Sequence, residues 1–145
     1  MSAQSTIATI SRIPNELYNE GNMAVIDEVF APGYVEHTPL PPGFPTGAEA
    51  VRLYVTLVRT AFPDFRYTIE DVIAQGDKLA LHLTASGTQR GEFMGIPATG
   101  RSATWQEAHF CRCAGGKLAE HWVVMDQLSM LRQLGVIPTS TEAGA

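Results

Sequence analysis

The first third of the chain carries hydrophobic residues at the three- and four-residue spacing of an amphipathic helix. The earliest such series is Ile7, Ile10, Ile13 and Leu17. Pro14 lies inside this series and must either kink one helix or stand in the first turn of a shorter one, because proline has no N–H to donate. Gly21 then ends the helix.

Two further helices are predicted before Pro63. Asn22 is suited to cap a short helix that stops at Pro32 and Gly33. The clearest helix spans residues 46–62, with an apolar stripe that consists of Ala48, Val51, Val55, Val58 and Phe62. The N-terminal part of the chain is therefore predicted to consist of about three helices.

After Pro63 the hydrophobic period changes to two, which predicts strands. Four are expected, over residues 65–74, 78–86, 102–113 and 117–125, with turns at Gly76 and Gly115 that join them in pairs. A last helix follows, with Asp126 as its N-cap and with Leu128, Leu131 and Leu134 on its buried side. Helices followed by an antiparallel meander predict an α+β fold in which the helices cover one face of a curved sheet.

Length and composition narrow the choice of function. A chain of 145 residues suffices for a single domain over residues 1–145, in which residues 139–145 are expected to form a flexible tail. The net charge is -5 and the basic residues are scattered, so a nucleic-acid partner is not expected. We also expect no membrane span or signal peptide, and hence a cytoplasmic protein. Cys111 and Cys113 are interpreted as packed thiols without a disulfide or a zinc ion.

Reactive side chains concentrate on the last two predicted strands. Alternation puts Trp105, Glu107, His109 and Cys111 on one face of the third strand, and the fourth carries Glu120, His121 and Trp122. A turn near Gly115 pairs residues whose numbers sum to about 230, which predicts His109 near His121 and Glu107 near Val123. Imidazoles and carboxyls on one wall suit general acid and base catalysis, since imidazole titrates near neutral pH.

Structural roles compete with catalytic ones for several of these residues. Asp126 is favoured as a helix cap, and His82 as a residue that contacts solvent or a second subunit. His37 is suited either to hydrogen bonding within a loop or to the rim of a cavity. The two tryptophans, Trp105 and Trp122, are suited to a core as well as to a ligand platform. No nucleophile, metal or phosphate-loop motif is present in the sequence, so no cofactor and no metal are expected.

Four segments of the sequence together resemble the SnoaL-like polyketide cyclases of the NTF2-like, or cystatin-like, superfamily. They are residues 17–22 with 30–34, residues 62–65, residues 91–100, and residues 116–122 with 126 and 131–135. The resemblance extends from about residue 7 to residue 138. It implies a cone-shaped α+β barrel with an antiparallel or mixed sheet, a cavity covered by the N-terminal helices, and a short C-terminal helix. It also implies a homodimer or tetramer and a hydrophobic small-molecule substrate.

The activity implied by the resemblance is an intramolecular aldol cyclisation that needs no metal and no cofactor. A histidine of the family maps onto His109, and the acid–base aspartate maps onto Val123, which cannot carry a proton. His121 is the nearest replacement, and a β-bulge would instead turn Asp126 inward. We therefore expect His109 and His121 to act as acid and base, with Glu107 or Asp126 orienting or replacing one of them.

The substrate pocket is expected to include aromatic and apolar side chains from both halves of the chain. The residues assigned to it are Tyr34, His37, Phe44, Phe93, Met94, Trp105, Trp122 and Val123. Two alternative hypotheses remain open. One is a limonene-type epoxide hydrolase that uses Asp126, Glu107 and either Arg101 or Arg112; the other is a non-catalytic NTF2-like module that binds a small molecule or dimerises. A sealed cavity in which neighbouring side chains satisfy both histidines would favour the module.

Overall fold

Four α-helices, a π-helical segment and five strands follow one another along the computed structural model, which describes residues 2–138. In chain order they are α1 (Ala3–Arg12), the π-helical segment (Ile13–Tyr18), α2 (Ala24–Val29), β1 (Phe30–Glu36), α3 (Gly47–Ala61), β2 (Arg66–Gln75), β3 (Lys78–Thr88), β4 (Ser102–Ala114), β5 (Lys117–Met125) and α4 (Gln127–Gln133). The predicted α+β class is confirmed. The expected flexible tail, residues 139–145, lies outside the described residues.

Pro14 neither breaks nor visibly ends the first helix. The helix widens into π geometry from Ile13 onward, a change that makes room for a ring that would clash with the carbonyl group four residues earlier. Just after this segment, the Asn19 side chain pairs with both backbone polar groups of Tyr67, donating to its carbonyl oxygen and accepting from its N–H. These two hydrogen bonds hold the end of the first helical region against β2 at Tyr67.

The sheet contains one strand that the hydrophobic pattern did not predict. The second predicted helix was expected to stop at Pro32 and Gly33, and no strand was assigned to residues 30–36. They form β1, which pairs in parallel with β5. The prediction failed because Pro32 and Gly33 interrupt the alternation and because the pairing partner lies more than 80 residues away. The strand order is β1-β5-β4-β3-β2, so the sheet is mixed and β1 occupies an edge.

The register of the β4–β5 pairing is displaced by two residues from the predicted one. His109 lies opposite Val123 and His121 lies opposite Cys111, with a register shift between Arg112 and Cys113. Next to the turn Ala114 pairs with Lys117, one residue beyond the count from Gly115, and the bulge at Ala119 adds the second residue. Both histidines nevertheless remain on the same face, because the two one-residue displacements together move β5 by an even number of residues.

The helices bury their apolar stripes on the concave face of the sheet. Val55 and Val58 of α3 pack there as predicted. Asp126 is the N-cap of α4, as predicted, and accepts a hydrogen bond from the Ser129 N–H. Leu128 was expected on the buried side of α4 but is 51% exposed, and Met130 is buried instead. Across residues 2–138, no helix has the length and apolarity that crossing a membrane requires.

Candidate active site

An apolar cavity of about 180 Å³ lies between the concave face of the sheet and the helices. Its walls come from the π-helical segment, α3, all five strands and the segment that joins β3 to β4. Among the described residues that line it, none is a lysine or an arginine, and the carboxylates and imidazoles lie on the wall formed by β1, β4 and β5. A mainly apolar pocket with a few converging polar groups is the usual form of a small-molecule site.

Glu107 is the buried anchor of that polar wall. It is 4% exposed, and its carboxylate accepts hydrogen bonds from Tyr67 Oη and Trp105 Nε1, both at 2.7 Å. The Nε2 atom of His109 lies 2.7 Å from the same carboxylate. Burial by itself raises the pKa of Glu107, but the hydrogen bond and charge of His109 and the two other donors outweigh it, so the pKa is lowered overall.

The two histidines on β4 and β5 contact each other inside the cavity. His109 Nδ1 lies 2.8 Å from His121 Nε2, although the two residues are diagonal neighbours in the sheet. Burial, joined by repulsion from His121, lowers the pKa of His109 even though Glu107 acts in the opposite direction. His109 therefore uses one ring nitrogen for His121 and the other for Glu107.

The second carboxylate is Glu36, which the sequence analysis did not single out. Its Oε1 lies 2.8 Å from His121 Nδ1 and accepts from Tyr34 Oη at 2.6 Å, and the Thr38 N–H donates to its Oε2 at 3.1 Å. Burial raises the pKa of Glu36, yet the His121 contact and the two other donors lower it to about 2. The only sequence indication was the alternation of Tyr34 and Glu36, which is visible once residues 30–36 are taken as a strand.

These contacts form one continuous chain of hydrogen bonds, Glu107–His109–His121–Glu36, which we call the relay. Its two ends are held by buried aromatic donors, with Tyr67 and Trp105 at Glu107 and Tyr34 at Glu36. Such an arrangement suits general acid and base catalysis by the imidazoles while the carboxylates hold the rings in position. Tyr67 is a second contributor that sequence reasoning missed.

The structure places the other predicted pocket residues in different surroundings. Tyr34, Phe93, Met94 and Val123 line the cavity. Phe44 does not line it, and Trp105 lies behind it, 5% exposed, reaching the relay through Glu107.

His37 and Trp122 are further departures from the predicted pocket. They stack on each other at 4.4 Å between ring centroids, His37 bonds to Glu120, and neither residue lines the cavity. Trp122 is on the outer face because it alternates with His121 and Val123, which face inward.

Asp126 is also absent from the cavity wall. Its carboxylate caps α4, and the bulge in β5 lies near the turn instead of beside this residue, so it does not turn Asp126 inward. Arg101 and Arg112 do not line the cavity either, and Arg112 bonds to Glu120. The acid–acid–arginine cluster of an epoxide hydrolase is therefore not assembled. Within residues 2–138, no three histidine, cysteine, aspartate or glutamate side chains are arranged to hold a metal ion.

Comparison with known proteins connects this site to a family. Residues 8–134 match the family model of SnoaL-like polyketide cyclases. The chain is 30% identical over 120 residues to nogalonic acid methyl ester cyclase of Streptomyces nogalater, a match that covers 81% of this chain and 89% of the relative. It is 31% identical over 137 residues to the aklanonic acid methyl ester cyclase DnrD of Streptomyces peucetius, covering 90% and 92%.

Solved structures agree with the sequence relatives. TsrD from Streptomyces laurentii superposes with a TM-score of 0.86 at 29% identity, over 94% of this chain and 99% of that one. IdmH from Streptomyces antibioticus gives a TM-score of 0.77 at 34% identity, over 90% and 98%. The NTF2-like α+β fold is thus confirmed. Neighbouring side chains satisfy both histidines, as the module hypothesis expects, but the cavity is not sealed and the relatives are cyclases, so neither the epoxide hydrolase nor the binding module is favoured. With a family match over most of its length and cyclases as its relatives, this chain belongs to the SnoaL-like polyketide cyclase family.

Proposed function

We propose that this protein closes a ring in a polyketide-type compound by intramolecular aldol addition, with His109 and His121 moving the proton. The observation that supports the proposal most directly is the relay, which lies on the wall of an otherwise apolar cavity. Relatives at 30–31% identity are cyclases of nogalonic and aklanonic acid methyl esters. A carbonyl-rich, largely apolar ester of that kind is the proposed substrate class.

The chemistry follows from the types of group in the wall. The imidazole pair removes a proton from the carbon next to a carbonyl group, and the resulting enolate attacks a second carbonyl of the same molecule. The new alkoxide takes up a proton and becomes a hydroxyl group. The apolar walls exclude water and hold the two reacting carbons close together. This positioning lowers the entropic part of the activation barrier.

His121 takes the acid–base place that the family aspartate has at the position of Val123. Val123 lines the same wall, opposite His109 on the neighbouring strand. The two positions are both on β5 and two residues apart, so their side chains enter the cavity side by side. A carboxylate lost at one position is thus compensated by an imidazole at the other.

The first test is turnover of aklanonic or nogalonic acid methyl ester. His109→Gln and His121→Gln should each lower kcat about 10²- to 10⁴-fold, the usual contribution of a positioned acid or base. His82→Gln is the matched control, because His82 is exposed and bonds to Gln106 away from the cavity. A folded His109→Gln protein that turns over these esters at the wild-type rate would contradict the assignment.

A rescue experiment tests the exchange between positions 121 and 123. Adding Val123→Asp to the His121→Gln protein should restore part of the lost kcat, since the carboxylate then stands opposite His109. Val123→Asn in the same background is the control, because an amide of the same size cannot accept a proton from carbon. Equal activity of the two double variants would count against the exchange.

We also propose that the protein forms a homodimer through the outer face of the sheet. An apolar row crosses that face in register, made of Ile73, Ala80, Phe110 and Trp122, and Ile73 is 65% exposed. Light scattering of the wild type and of Phe110→Glu tests this proposal. The expected result is a dimer for the wild type and a monomer for the variant, and a monomeric wild type would contradict it.

A further inference from the structure

The relay contains more hydrogen bonds than its neutral imidazoles can supply with protons. It has three links: Glu107 to His109, His109 to His121, and His121 to Glu36. Each link needs one proton between its two heavy atoms. Two neutral imidazoles bring only two protons, so one additional proton must be held somewhere in the relay.

The contacts at both ends decide where that proton is held. The Glu107 carboxylate accepts from Tyr67 and Trp105, and the Glu36 carboxylate accepts from Tyr34 and the Thr38 N–H. Each carboxylate thus has two donors besides its histidine, and an ionised carboxylate, which only accepts, suits three donors best. The additional proton therefore belongs to the imidazole pair.

We propose that His109 and His121 share one additional proton in the resting site and work as a single acid–base unit, for which Glu36 is a positioning residue. The pair then carries one positive charge between two negative carboxylates. Two neutral rings leave one of the three links without a proton, either the N···N contact at 2.8 Å or a contact with a carboxylate, whereas two cationic rings would set two N–H groups against each other. Only the singly charged pair makes all three links.

The groups around the pair favour this state. The other titratable side chains of the wall and its surroundings are tyrosines on the π-helical segment, β1, α3 and β2 and a cysteine on β4, namely Tyr18, Tyr34, Tyr54, Tyr67 and Cys111. Burial raises the pKa of each of them, that of Cys111 to about 12, so all five are neutral. Among the described residues that line the cavity, the two carboxylates are therefore the charges that face the positively charged pair. Burial and repulsion from His121 lower the pKa of His109, which opposes a second charge on the pair.

The shared proton has a consequence for the proposed cyclisation, on which this part of the inference rests. All four ring nitrogens are occupied, so a substrate carbonyl must replace the N···N link in order to reach a proton. The pair gives one proton to the oxygen that becomes the hydroxyl group and receives one from the carbon that becomes the nucleophile. The C–H bond breaks, the C–C and O–H bonds form, and the pair ends with the number of protons with which it began.

The ¹⁵N spectrum of histidine-labelled protein counts these protons directly, without substrate. The chain has four histidines, and the variant His37→Gln/His82→Gln leaves only the two in the relay. At pH 7 we expect three protons over the four ring nitrogens, with the two inner nitrogens giving intermediate shifts because they share one proton. Two protons or four protons would overturn the proposal.

A pH titration of the same spectra tests Glu36 as a positioning residue. In Glu36→Gln, loss of the negative charge should let the shared proton leave about 1–3 pH units lower, the shift expected from one adjacent opposite charge. Glu120→Gln is the matched control, because that carboxylate precedes His121 on β5 but bonds to Arg112 and does not line the cavity. It should leave the titration of the pair unchanged.

The outcomes separate this proposal from the proposed function. If the titration of the pair is not shifted in Glu36→Gln, the positioning role is wrong. In the same variant, the alkaline limb of the kcat profile should move to lower pH together with the titration. Glu36→Asp, which keeps the charge, should restore most of the wild-type midpoint. If three protons are counted but the esters are not turned over, the shared proton stands and the cyclase proposal fails.

Discussion

The two faces of the β4–β5 hairpin carry the same kinds of side chain and put them to different uses. On the cavity face, Glu107 bonds to His109 and its side chain is 3% exposed. On the outer face, Glu120 bonds to His37 and Arg112 and its side chain is 25% exposed. The contacts are chemically alike, but only the inner set is surrounded by apolar walls and buried donors.

The difference shows that burial, and not residue type, distinguishes the site. Water screens an exposed ion pair, which for this reason contributes little to stability or reactivity. In the cavity each carboxylate has exchanged water for fixed donors, so removal of one partner leaves a charge with nothing to replace it. The paired glutamates and tryptophans of the two faces allow this comparison to be tested.

The largest expected effect is on the stability of the inner carboxylate variant. Glu107→Ala should lower the free energy of unfolding by about 3–5 kcal/mol, because it leaves the charged histidine pair without its buried partner. Glu120→Ala should lower it by no more than about 1 kcal/mol, the usual value for an exposed pair. Urea denaturation of both variants measures the difference, and equal losses would show that the faces are energetically alike.

A pH-dependent effect is expected at Glu36. Since its pKa is lowered to about 2 in the folded protein from an ordinary 4.5, its ionisation stabilises the fold above about pH 5. This contribution to the free energy of unfolding is at most about 3 kcal/mol, because water at the cavity mouth screens part of it. It is lost as the pH falls toward 2. The stability difference between wild type and Glu36→Gln should therefore shrink over that range in urea titrations. A constant difference would mean that Glu36 has no depressed pKa.

The smallest expected effect separates the two tryptophans. Trp105→Phe removes the indole N–H that donates to Glu107, and should cost about 1–3 kcal/mol because a buried carboxylate loses a donor. Trp122→Phe keeps the stacking on His37 at an exposed position and should change stability by less than about 0.5 kcal/mol. Thermal unfolding of the two variants checks this, and a larger loss for Trp122→Phe would contradict the comparison.

Much of the site was predictable because it lies on one hairpin. Alternation along β4 is a local property of a strand, so Glu107 and His109 could be placed on one face without knowing the fold. Because a tight turn joins β4 to β5, the strand that neighbours β4 could also be predicted from nearby residues. His121 was assigned to the site in this way. The predicted cap at Asp126 is likewise a local feature, since its partner is three residues away.

Glu36, Tyr67 and Trp122 were missed or misplaced for a different physical reason. Glu36 reaches His121 across a parallel pairing that spans 85 residues, and Tyr67 reaches Glu107 across 40. Pairings this distant depend on how the whole sheet closes, which periodicity does not encode. Trp122 was assigned to the pocket by its residue type, although alternation with His121 already directed it outward.

By itself the sequence determined the fold class, the alternating wall of β4 and the placement of two histidines on neighbouring strands. These features depend on side-chain period and turn position, which act over a few residues. Only the tertiary structure decided that a second carboxylate completes the relay and that the histidines bond directly to each other. The first depends on the edge strand β1 pairing with β5 across 85 residues, and the second on the register that the bulge sets between β4 and β5.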